Sequence, residues 1–132
     1  MVERTDSKGF DEFDGEVANV EVVPSKLQGQ ENKFQYKISM ATIPQNLTKS
    51  GMMYTWIGIP PSATDGSVPN GSIIEAYIRS LERLDSTLKK AVAHKEVFLW
   101  LKGKKFHFNR ENLGKAYGNY AAADYWVPVR QL

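Results

Sequence analysis

Between Phe34 and Ala41 the chain alternates without a break. Phe34, Tyr36, Ile38 and Met40 are large and apolar, and Gln35, Lys37, Ser39 and Ala41 between them are small or polar. A period of two fits a β-strand with one buried and one wet face, and it does not fit a helix. Such a strand needs neighbours for its backbone hydrogen bonds and a second layer for its apolar face. The rest of the chain is therefore read for further strands and for a cover.

Glu16–Val23 is rich in β-branched residues and stops at Pro24, so it reads as a first strand. Polar residues and Gly29 over 25–31 form the turn, which makes the first two strands a hairpin. Met52–Ile59 is a third strand, ended by Pro60 and Pro61 after a loop over 44–51. A Pro/Gly/Ser/Asp loop over 60–71 then leads to Ser72, which with Glu75 fits a capping box. Ile73, Ile74, Tyr77, Ile78, Leu81, Leu84, Leu88 and Val92 follow at helical spacing, predicting an amphipathic helix of about 20 residues.

Residues 95–102 are bulky enough for a strand, but Gly103 stands where a helix C-terminal glycine belongs, which favours a short second helix. Residues 104–110 alternate around Phe106 and Phe108 and read as a fourth strand. A loop over 111–124 leads to Tyr125–Arg130, a last strand that Pro128 assigns to a sheet edge or a bulge. Residues 1–14 read as an acidic, flexible leader held by Phe10 and Phe13, and 15–132 as one domain.

The expected fold is mainly β with one or two helices: three strands, a long helix, then two strands. Five strands beside one helix bury their apolar faces best as a small barrel with the helix at one end. Three segments carry a family resemblance. They are the opening Gly15 to Val22, the step Leu101, Lys102, Gly103, Lys104 into the fourth strand, and the closing Tyr125 to Val129. In this layout, over about residues 15–131, the chain resembles the OB-fold proteins that bind single-stranded nucleic acids. The resemblance implies a five-stranded OB-fold-like barrel that uses the outer face of strands two and three. Bacterial single-stranded DNA-binding proteins end in an acidic partner-docking tail, whereas the last residues here are Arg130, Gln131 and Leu132. Docking of repair partners by that route is not expected.

Charge is unevenly spread. Residues 1–16 hold six carboxylates against Arg4 and Lys8, net −4, and residues 17–132 carry net +6. Single strands are held by cations along the phosphates and by aromatic faces on which bases stack. Alternation sets Tyr54 and Trp56 outward on the third strand beside Lys33 and Lys37 on the second, unless Trp56 is core. Lys105 and His107 point outward on the fourth strand, with Lys104 and Arg110 at its ends. Lys115, Tyr117 and Tyr120 follow in a glycine-containing loop. The function expected from these eleven residues is sequence-tolerant binding of single-stranded DNA, with RNA as the other ligand. The alternative is a protein-binding or oligomerising barrel that docks a partner or a second copy through an edge strand and Tyr125 and Trp126. A solvated leader is the simpler reading of residues 1–14; competition with phosphates is the other.

Other chemistry finds little footing. The chain has no cysteine and two histidines, His94 and His107, not at metal-ligand spacing. Asp11–Glu16 lacks the ligand pattern of a calcium loop, and Gly103-Lys104 lacks the upstream glycine of a phosphate-binding loop. No enzyme, metal or cofactor is expected. No apolar run approaches a membrane span and no signal-peptide core opens the chain, so a cytoplasmic protein without membrane contact is expected.

Overall fold

The computed structural model describes residues 10–24, 33–113 and 124–132. The alternating segment is β2 (Phe34–Ile43), with Tyr36, Ile38 and Met40 buried. It pairs antiparallel with β1 (Glu12–Pro24) on one side and β3 (Met52–Ile59) on the other. The free side of β1 takes β4 (Lys105–Asn112), and β4 takes β5 (Asp124–Gln131). The result is one five-stranded antiparallel sheet in the order β3-β2-β1-β4-β5, and two helices. The sheet is not closed: β3 and β5 are its two edges.

Helix α1 (Ile73–Leu84) follows β3 and touches both edge strands. Its inner face, Ile74, Tyr77 and Leu81, meets the core formed by Ile38, Ile57, Phe106 and Phe108. Each such side chain contributes roughly 1.5–3 kcal/mol by leaving water. The capping box is present, since the Ser72 hydroxyl accepts from the Glu75 amide at 3.3 Å. The Glu75 carboxylate accepts from Gly71, one residue before the cap, at 2.9 Å.

The first helix is shorter than its apolar spacing predicts. It stops at Leu84, and Ser86–Lys90 form a 3-10 turn. Asp85 breaks it: its extended backbone turns the carboxylate to accept from the Thr87 amide at 3.0 Å and the Thr87 hydroxyl at 2.6 Å. Local bonds of this kind compete with the helical ladder. Val92, placed on the buried stripe by periodicity, is 77% exposed.

The ambiguous segment is helix α2 (His94–Trp100), ended by Gly103 at φ 82°. β1 begins at Glu12, four residues before the predicted start, because Phe13 is buried against Phe108 and Trp126 and pulls the acidic stretch into the sheet. Gly15 is required by packing: a Cβ there would lie 2.8 Å from the Phe13 ring and 3.2 Å from the Ala41 carbonyl. Pro128 is both on an edge strand and at a register shift, which leaves Val129 unpaired.

Candidate nucleic-acid interface

On β3, Met53, Thr55 and Ile57 are buried, so the strand's period turns Tyr54 and Trp56 to the other face. Tyr54 is 39% exposed and Trp56 44%. Trp56 is therefore not core. The two rings stack at 5.8 Å between centroids with a 29° tilt. Lys37 stands directly across from Trp56 in the β2–β3 register, and its Nζ lies 5.1 Å from the Tyr54 centroid. Lys33 is exposed just before β2. Tyr54, Trp56 and Lys37 form a compact patch of two rings and one cation, and Lys33 stands four residues before Lys37 along the chain. Beyond Trp56 the outer row ends at Gly58, which faces Gln35 across the ladder.

The other described candidates lie elsewhere. Lys105 and His107 do face outward on β4, but their partners across the ladder are Glu16 and Asp14 of β1. His107 Nδ1 is 2.7 Å from the Asp14 carboxylate, and its Nε2 is 3.4 Å from that of Glu12. Carboxylates thus border this part of the sheet. Lys104 donates to the Trp100 carbonyl and lies 4.8 Å over the Trp100 ring, closing the end of α2. The Arg110 guanidinium donates to the Phe10 carbonyl at 2.6 Å and packs 5.1 Å over Trp126. Asp11 is 3.9 Å from its Nε. Arg110 fastens the start of β1 to β5. Lys115, Tyr117 and Tyr120 lie outside the described residues.

Trp126 is buried against Phe10 and Phe13, so its ring is not available to a partner, and Tyr125 is half-buried. The Tyr36 hydroxyl sits 2.6 Å from His94 Nδ1. Burial, with the Asp65 charge adding to it, pushes that hydroxyl up to about 12. This contact ties β2 to α2. A cleft of about 340 Å³ lies beside α1, where Glu75 and Glu111 accompany Arg79 and Arg83. Among the described residues no cluster of three or more histidines and carboxylates suits a metal ion. No described helix is long and apolar enough to cross a membrane.

Alternation places Gln35 on the outer face of the second strand without marking it as a binding residue, and Gly58 is not singled out, since neither residue type signals binding. The register pairing is what places them beside Trp56. No protein-family model matches the chain, and no curated protein sequence matches it significantly.

Proposed function

We propose that the chain is an OB-fold-like module that binds single-stranded DNA, or RNA, on the outer face of β2 and β3. The strand order supports the barrel reading. Joining the edges β3 and β5 would turn β3-β2-β1-β4-β5 into a ring, and α1 already touches both edges. The observation that carries the functional reading is the exposed, mutually stacked pair Tyr54 and Trp56 beside Lys37. Exposed rings with adjacent ammonium groups supply the two terms that hold single strands, base stacking and phosphate neutralisation. Sequence tolerance follows, because every base has a π-face. Lys33 and Lys37 take the phosphates, and Tyr54 and Trp56 take the bases.

Fluorescence anisotropy with a labelled thymidine 20-mer, single-stranded and duplex, tests this, with a uridine 20-mer to separate DNA from RNA. The expected result is preference for single strands and affinity that falls with salt, with a log–log slope of about −1.4 for two neutralised phosphates. Absence of binding at low salt overturns the proposal. Exposed Val22 and Phe34 favour protein docking as a second reading. Salt-insensitive association with a protein, without nucleic-acid binding, selects it.

A further inference from the structure

Gly58 has no structural reason to be glycine. Its φ is not positive, and a Cβ built there meets nothing within 4 Å. Glycine inside a strand weakens it, and one without a conformational or packing cause leaves room for something that approaches the backbone from outside.

The position of that room is specific. Tyr54, Trp56 and Gly58 follow one another on the same face of β3. Tyr54 takes one face of the Trp56 indole. Gly58 is the next residue of that row, and among the described residues no ring other than Tyr54 and no cation contacts the indole. Two strand residues span roughly 6.6 Å, and stacked bases are spaced by roughly 3.4 Å. One planar base lying on Trp56 therefore fits above Gly58, and a side chain at position 58 would take its place. Gln35 shares this face as the direct partner of Gly58, and its carboxamide makes no hydrogen bond among the described residues. A carboxamide presents a donor beside an acceptor, which complements the adenine N6/N7 edge.

We infer that the space above Gly58 seats a single unpaired nucleobase, stacked on the free face of Trp56 with its edge toward Gln35, and that adenine is the base it prefers. The inference rests on the nucleic-acid reading above and adds to it a one-base subsite with a named steric gate.

The test is anisotropy with labelled 12-mers of deoxyadenosine and deoxycytidine against wild type, Gly58→Ala, Gly58→Val, Gln35→Leu, Trp56→Ala and the double variant Trp56→Ala/Gly58→Val. Gly58→Val is expected to weaken binding about 5- to 150-fold, the range of one lost base stack, and Gly58→Ala less. Valine suits a strand better than glycine, so the thermal midpoint should not fall. In the Trp56→Ala background, Gly58→Val should cost less than twofold, because the base it blocks has already lost its platform. Gln35→Leu should remove the preference for the adenosine 12-mer. Gly58→Val binding within twofold of wild type overturns the seat while leaving the nucleic-acid reading intact, and equal wild-type affinity for both 12-mers overturns the role of Gln35. A wild-type protein that binds neither 12-mer at low salt overturns the seat and the reading together.

Discussion

The Tyr77 hydroxyl donates to the Trp126 carbonyl at 2.8 Å, inside the core. This bond joins α1 to the edge strand β5. Burial raises the Tyr77 hydroxyl well above its ordinary value, so it remains a neutral donor over the working pH range. Removing the hydroxyl leaves a buried carbonyl without a partner, which costs about 1–3 kcal/mol. Tyr77→Phe should lower the free energy of urea unfolding by that amount with no change in the m-value. An unchanged midpoint would show that the bond contributes nothing net.

Tyr36 predicts how the fold responds to alkali. Its folded-state value is about 12 against an ordinary 10.0. Between these values the unfolded chain loses the phenolic proton before the folded protein does. The stabilisation is therefore fully present below about pH 10 and is lost as pH rises towards 12. Two units correspond to roughly 3 kcal/mol. Urea unfolding measured at pH 8, 10 and 11.5 should show a decline above pH 10 that is smaller in Tyr36→Phe. Equal declines in both proteins would assign the effect to other groups.

The strands were legible because period two and chain-stopping prolines are local signals; Tyr36, Ile38 and Met40 define β2 and its buried face, while Phe34, in phase with them at the start of the strand, is 52% exposed. The outward pair Tyr54 and Trp56 was legible for the same reason, since Ile57 fixes the parity of its strand. What escaped was decided between elements. The long helix prediction fails at Asp85, whose carboxylate turns back to Thr87. The early start of β1 depends on Phe13 meeting Phe108, 95 positions along the numbering. Arg110 and Lys104 look like surface cations in sequence, yet Arg110 is held by the Phe10 carbonyl and Lys104 by that of Trp100. Cationic residue type says nothing about whether the charge is already engaged.

Arg110 follows as a stability residue. Its guanidinium bonds the Phe10 carbonyl and packs over Trp126, so Arg110→Met loses a charged hydrogen bond and a cation–π contact. The expected cost is about 1–3 kcal/mol of folding free energy. Affinity for a thymidine 20-mer, measured well below the unfolding midpoint, should stay within twofold of wild type. A large affinity loss with unchanged stability would place Arg110 on the nucleic-acid path instead.

Tryptophan emission provides a site-resolved check on the platform. Of the three tryptophans, Trp126 is buried, Trp100 is half-buried under the Lys104 ammonium, and Trp56 is the exposed one. A base stacking on an indole quenches it, so single-stranded DNA should quench the Trp56 share of the signal. Trp56→Phe keeps an aromatic face and should bind within a few-fold of wild type, yet lose most of the quenching. Trp56→Ala should lose about 1–3 kcal/mol of binding, with the thermal midpoint little changed because the side chain is outside the core. Quenching that persists in Trp56→Phe would move the contact to another tryptophan. A collapse of the fold in Trp56→Ala would show that the indole supports β3 as well as presenting a face to solvent.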